Sequence, residues 1–299
     1  MARRKYRGIV LLSAMALSTP WCTRATAQEL ETRGELARVL ERAELPSESK
    51  ALVRQKAVEA VRAGVAERDV ADLVQRGVRR NIQASDVVRL LDVVTQAKRQ
   101  ELPTGPVLDK MREGLAKQVP PDRIVTVAAR VSGTLATSRD LVRRAERDGV
   151  RVEAPTERVQ AIEAIADALG RGVAPTAVEE LSRRIAEAPR DRATMARLNV
   201  GGQVTADLVA MRVSPREAVE TVGAALAQGF GVRDIVRLRE RLAQELKRGR
   251  APDDGAARLR DEIRTERPEA REGSPEKDPS RDRPGRDREG PGGGRPGRR

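Results

Sequence analysis

The chain has 299 residues and a formal net charge of +13, with 58 Lys and Arg residues against 45 Asp and Glu residues. It has no histidine, its one cysteine is Cys22, and its aromatic residues are Tyr6, Trp21 and Phe230. This composition excludes catalysis and metal binding that require histidine, and the chain lacks the apolar run of about 18 residues that spans a bilayer. The length allows one or two domains with a sizeable core.

The N-terminal residues 1–27 have the features of an export signal. A basic start at residues 3–7 precedes a mostly apolar stretch at residues 8–21. Ala25 and Ala27 then form a small-residue cleavage site of the kind that signal peptidase recognises. We therefore predict that the signal peptide ends at Ala27 and is removed on export.

Three other interpretations of this segment are weaker. A buried N-terminal helix would be broken by Pro20, and no acidic residue precedes Glu29. Lipid modification of Cys22 requires small residues before the cysteine, but Trp21 stands there. A twin-arginine signal requires an apolar residue where Arg7 lies. We predict general secretion, which places the mature protein in the periplasm or the medium.

Amphipathic helices are predicted from about residue 29 to residue 267. Apolar residues recur at intervals of three and four, as at Leu90, Leu91 and Val94, and this spacing gives a helix one apolar face. The alternation typical of strands is scarce. The sequence therefore predicts an all-α fold built from short helices.

Short connectors with a shared chemistry separate the predicted helices. In several of them a glycine or asparagine is followed at once by an apolar residue. Glycine and asparagine suit the left-handed conformation that closes a helix, and the apolar residue can fold back onto the last turn. Helix starts carry their own marks, such as a serine followed by proline and glutamate. The predicted cap residues are Gly64, Asn81, Gly172, Ser214 and Gly229.

The connectors recur at a regular spacing. Val65 and Leu102 are 37 residues apart, as are Ile82 and Val119. Two helices in about 37 residues predict stacked hairpins that cover one another's apolar faces, as in an α-solenoid. The alternative is a globular bundle whose helices share only their capping chemistry. The predicted apolar connector positions are Leu45, Val65, Ile82, Leu102, Val119, Leu135, Val152, Val173, Val213 and Phe230, with one more near Met195.

The C-terminal residues 268–299 differ in composition from the helical part. Glycine, proline and charged residues of both signs dominate this segment, and Ala270 is its one hydrophobic residue. Such a segment cannot bury enough apolar surface to offset the entropy of ordering, so we predict a disordered tail. A solubilising tail and a basic contact to an anionic envelope polymer are both compatible with this composition.

Most catalytic motifs are missing from the sequence. Ser47 and Lys50 match the S-x-x-K motif of penicillin-recognising enzymes, but the S-D-N and K-T-G elements are absent and Ser47 follows Pro46 at an expected helix start. Glycan hydrolysis requires only two carboxylates. A sugar-binding cleft, however, usually has aromatic side chains to stack on the sugar, and Phe230 is the one aromatic residue outside the predicted signal peptide. We do not expect nucleic-acid binding, because acidic residues interleave with the basic ones throughout.

The sequence therefore predicts a signal peptide at residues 1–27, a helical-repeat domain at 28–267 and a disordered tail at 268–299. The predicted function is that of an exported, non-enzymatic binding or scaffolding protein of the bacterial cell envelope. Its partner is expected to be a protein or an envelope polymer. One alternative is an anionic-polymer binder that uses the basic surface and tail, and another is a carboxylate-dependent peptidoglycan hydrolase. No catalytic residue, cofactor or metal ligand is expected, and no transmembrane segment after signal cleavage.

Overall fold

The computed structural model describes residues 34–43, 45–189 and 191–265, and within these ranges it confirms the predicted all-α class. The described residues form twelve helices and no β-strand. The predicted signal peptide, with Ala25 and Ala27, and the predicted tail lie outside them. Helix α1 covers residues 34–42, and α2 to α12 are, in order, Ser47–Arg62, Glu67–Arg79, Ala84–Arg99, Gly105–Ala116, Pro121–Arg147, Pro155–Gly170, Pro175–Ala186, Met195–Ala210, Pro215–Ala227, Val232–Lys247 and Pro252–Thr265.

The predicted connector at Leu135 is wrong, because Leu135 lies inside the 27-residue helix α6. Gly133 just before it resembles a helix end in the sequence, yet α6 continues through both residues. Leu135 is fully buried. Ala128 and Val142 lie seven residues before and after it and are also buried, so all three residues lie on one face of the helix. Helical spacing of the buried residues therefore outweighs the local glycine signal.

The predicted connector at Val152 is displaced by two residues. Gly149 has a φ of +109°, and the N–H of Val150 donates to the carbonyl oxygen of Ala145 at 2.9 Å. Val150 is buried, whereas Val152 is only half-buried. The apolar residue that closes α6 is therefore the one directly after the left-handed glycine.

The connector expected near Met195 lies between α8 and α9, since α9 begins at Met195. Its backbone pairs with the connector that follows α6. The N–H of Arg151 donates to the carbonyl oxygen of Ala193 at 2.8 Å, and the N–H of Met195 donates to the carbonyl oxygen of Arg151 at 2.7 Å. Two connectors more than 40 residues apart are thereby joined side by side.

The core is aliphatic and follows the described chain from end to end. One cluster of buried residues runs from Leu36 in α1 to Ile263 in α12, and the half-buried Phe230 packs against it. Burial of each large aliphatic side chain contributes about 1.5 to 3 kcal/mol. Packing of leucine, isoleucine, valine and alanine therefore stabilises this fold.

Helices contact their neighbours in the chain and the next helices beyond. Among helices α2 to α12, every pair with more than marginal contact is adjacent in the chain or separated by one helix. The contact between α7 and α9 is the most extensive, and that between α2 and α4 is next. Each helix is therefore buried mainly by partners from nearby in the sequence.

Candidate binding surface

The predicted cap residues lie in separate turns between helices and do not form a common site. Four of them have a positive φ: Gly64 (+96°), Asn81 (+53°), Gly172 (+95°) and Gly229 (+76°). Ser214 precedes α10, and its hydroxyl accepts a hydrogen bond from the N–H of Glu217 at 3.4 Å. These residues shape the helix ends, so a binding surface has to be sought on the helices themselves.

Other cap residues were missed because they are neither glycine nor asparagine. Glu101, Gln118 and Arg212 also have positive φ values just after a helix. In each case the next residue is apolar and its N–H bonds back over five residues, as Leu102 does to the carbonyl oxygen of Ala97 at 3.0 Å. The apolar residue is thus a better sequence mark of these turns than the residue in the left-handed conformation.

Side-chain hydrogen bonds join some turns to the turn two helices further along the chain. Arg80, between α3 and α4, donates to the carbonyl oxygen of Val119, between α5 and α6, at 3.3 Å. Asp253 at the start of α12 accepts a hydrogen bond from the N–H of Ser214 at 2.6 Å. Turns that are two helices apart in the chain therefore lie next to one another.

Ion pairs join helices across the surface in the same way. Arg99 at the end of α4 donates to Glu59 of α2 at 2.6 Å. Arg112 of α5 bonds two carboxylates of α3, those of Asp69 at 2.7 Å and Asp72 at 2.8 Å. These pairs neutralise much of the basic surface and fix the lateral positions of neighbouring helices.

The ion pairs hold their carboxylates in the charged form. Hydrogen bonds from Arg99 and then from Lys56 lower the pKa of Glu59. Burial alone would raise the pKa of Asp72, but hydrogen bonds from Arg112 and Arg76 outweigh it and the pKa is lowered. These acidic residues are therefore structural partners of arginine and lysine, which disfavours them as proton donors in catalysis.

An open groove of about 670 Å³ lies on the outer face of α2 beside the end of α4. We call it the α2 groove and define it by the residues that line it: Ala51, Arg54, Gln55, Val58, Glu59, Arg62, Ala63 and Arg99. Val58 is 36% exposed, although it is a large apolar residue. Short apolar side chains and arginines thus alternate along one helix face.

A second groove, of about 430 Å³, lies between α1 and α3. Its lining includes Val39 and Val78 together with the arginines Arg38, Arg42 and Arg79. Both valines are half-buried, so this groove offers less exposed apolar surface than the α2 groove. The N-terminal third of the described chain therefore carries two grooves rich in arginine.

Glu163 of α7 differs electrostatically from the paired carboxylates. Burial, and after it the nearby negative charge of Asp109, raises the pKa of Glu163. The two residues lie on α7 and α5, so the fold brings together carboxylates that are 54 positions apart. Acid-catalysed hydrolysis uses a carboxyl group with a raised pKa together with a second acidic side chain, which makes Glu163 the residue to test for that chemistry.

The described residues contain no cluster of three or more acidic, cysteine or histidine side chains arranged to hold a metal ion. None of the described helices combines the length and apolar character needed to cross a membrane. Comparison of the chain with protein-family models, with curated proteins and with solved structures found no match.

Proposed function

We propose that the chain is an exported, non-enzymatic helical-repeat protein that binds or scaffolds other proteins in the bacterial cell envelope. In this proposal its helices form an α-solenoid-like array of hairpins that repeats about every 37 residues. Such an array presents a long continuous surface, and the side chains on that surface select the partner.

The sequence separation of lateral contacts is the observation that carries this proposal. Arg239 and Asp207 are 32 positions apart, Arg80 and Val119 are 39 apart, and most other side-chain bonds between different helices fall between 32 and 43. The proposed period lies inside this range. Contacts to one preceding and one following unit are what a stack of hairpins requires.

The pattern of helix contacts supports the same proposal. In a compact bundle, helices from the beginning and the end of the chain share one core. Among helices α2 to α12, substantial contacts instead join only neighbours and next neighbours. A stack of hairpins becomes longer as units are added and does not enclose a central pocket. This architecture favours a binding function over a catalytic one.

A hydrolase remains the second candidate function, because Glu163 has a raised pKa and lies near Asp109. The test is incubation of purified chain with peptidoglycan and analysis of the released fragments. We expect no turnover. Fragments that are released by the original chain and lost with Glu163→Gln would establish the hydrolase and refute the non-enzymatic proposal.

Crosslinking in intact cells, followed by purification of the chain from the envelope, tests the proposed binding function. We expect a specific set of envelope proteins to be recovered. A variant without residues 268–299 is expected to recover the same set, because the proposed binding surface lies on the helices. Recovery of cell-wall polymer alone, released by salt and dependent on the tail, would support the anionic-polymer alternative instead.

A further inference from the structure

We propose that the α2 groove binds an acidic amphipathic helix of a partner protein. This inference rests on the proposed binding function and names the partner chemistry of one surface. The groove favours this partner because it combines two available positive charges with an exposed apolar side chain between them.

The available charges belong to Arg54 and Arg62. Both side chains are exposed, and neither has an acidic partner among the described residues. They are eight residues apart on α2, which places them two helical turns or about 12 Å from one another along the helix axis. A partner helix with two carboxylates at the same spacing could pair with both arginines.

The apolar contact belongs to Val58, midway between the two arginines. It is 36% exposed, and Leu52 on the same helix is 43% exposed. Ala51 extends the apolar surface by almost two turns and leaves room for a larger side chain. An apolar side chain of the partner can therefore pack on Val58 while its flanking carboxylates contact the arginines, as in helix-in-groove recognition.

The opposite wall of the groove limits how far a negatively charged partner can extend. Arg99 lines the groove from the end of α4, and it is paired with Glu59 of α2, which also lines the groove. A polyanion would require a continuous basic track, whereas here two arginines face a neutralised wall. A short acidic segment with an apolar centre fits this distribution better than an envelope polymer does.

The probe is a labelled synthetic amphipathic helix about 16 residues long, with two glutamates two turns apart and a leucine midway. Its binding to the purified chain is measured by fluorescence anisotropy. The Arg54→Gln/Arg62→Gln variant is expected to bind about tenfold more weakly, because it lacks both charge pairs. A probe with glutamines in place of the glutamates should show a similar loss.

The matched control is Arg123→Gln/Arg130→Gln on α6. These arginines are also exposed, have no acidic partner among the described residues and flank an exposed valine, Val127. The control should bind the probe as tightly as the original chain. Circular dichroism should be unchanged in both variants, since these exposed side chains make no hydrogen bond or ion pair with the rest of the described fold.

The groove assignment is overturned if the probe does not bind, if both double variants lose binding equally, or if inorganic polyphosphate binds more tightly than the probe with equal loss in both variants. The envelope crosslinking experiment separates this failure from failure of the proposed function. If Arg54→Gln/Arg62→Gln still recovers the full set of envelope proteins, the groove is not the binding site and the binding function stands. If the original chain recovers none, the proposed function itself fails.

Discussion

Arg197 of α9 donates a hydrogen bond to the carbonyl oxygen of Phe230 at 2.8 Å, although the two residues are 33 positions apart. The guanidinium also donates to the carbonyl oxygen of Leu226 at 3.3 Å, at the end of α10. Arg197 is only 5% exposed. A buried arginine of α9 thus binds the turn that follows α10, through one carbonyl group in the last turn of the helix and one carbonyl group just beyond it.

We predict that Arg197→Ala lowers the free energy of unfolding by about 2 to 4 kcal/mol. The substitution removes the hydrogen bonds from the guanidinium to the carbonyl groups of Leu226 and Phe230, and it removes the packing of the arginine stem. Urea denaturation followed by circular dichroism measures the change. Arg233→Ala is the control, because Arg233 is exposed on α11, and it should change the unfolding free energy by less than about 0.5 kcal/mol. Equal effects of the two substitutions would contradict this role of Arg197.

Two helical glycines give opposite predictions for the same substitution to alanine. A Cβ added at Gly114 of α5 would lie 2.8 Å from Cγ1 of Ile124, whereas a Cβ added at Gly133 of α6 has nothing within 4 Å. Gly114→Ala should therefore destabilise the fold by about 1 to 3 kcal/mol through overpacking. Gly133→Ala should stabilise it by about 0.5 to 1 kcal/mol, since alanine is the better helix former.

Thermal and urea unfolding of both glycine variants checks this pair of predictions. If Gly133→Ala destabilised the chain as much as Gly114→Ala, the face of α6 around Gly133 would have to be covered by something outside the described contacts. A neutral Gly114→Ala would mean that α5 and the start of α6 can separate at little cost.

Glu163 predicts a dependence of stability on pH. Its pKa is raised in the folded chain above the ordinary value of 4.5, so folding favours the protonated form. The stability that this group contributes is therefore present at low pH and is lost as the pH rises through the folded pKa. Glu163→Gln, which has no charge to bury, should raise the melting temperature near neutral pH, and this gain should vanish below the ordinary pKa.

The measurement is a melting curve of each chain between about pH 4 and pH 7. Asp167→Asn is a suitable control on the same helix, because Asp167 pairs with Arg171 at 3.0 Å and loses that pair on substitution. It should not raise the melting temperature at neutral pH. A melting-temperature gain for Glu163→Gln that persists unchanged at low pH would show that the effect does not come from titration of Glu163.

Local sequence signals predicted the helical class and several of the turns. The turn at Val65 could be predicted because its signal is local: Gly64 is followed directly by the apolar Val65. The same signal failed at Leu135, because Leu135 is buried among the other helices and α6 continues through Gly133. The sequence offers two valines, Val150 and Val152, for the apolar position of this connector, and the prediction of Val152 is wrong. The left-handed backbone at Gly149 decides between them, because the apolar position is the residue directly after it.

The candidate binding surface could not be predicted from local patterns. Arg54 and Arg62 are two of many arginines in the sequence, and the sequence does not show which arginines find carboxylates on helices about 40 positions away, as Arg99 and Arg112 do. The raised pKa of Glu163 likewise depends on burial and on Asp109 from a different helix. Both properties come from tertiary neighbours, which the order of residues along a single helix does not encode.

The proposed array of hairpins is tested most directly by native-state hydrogen exchange of a chain destabilised at one end. Leu259→Ala in α12 removes a buried side chain that is 2% exposed, at a cost of about 2 to 5 kcal/mol. Because stacked hairpins depend on their immediate neighbours, α10 to α12 should lose protection while α2 to α5 keep theirs. A uniform loss of protection from α2 to α12 would contradict the array and indicate a single cooperative bundle.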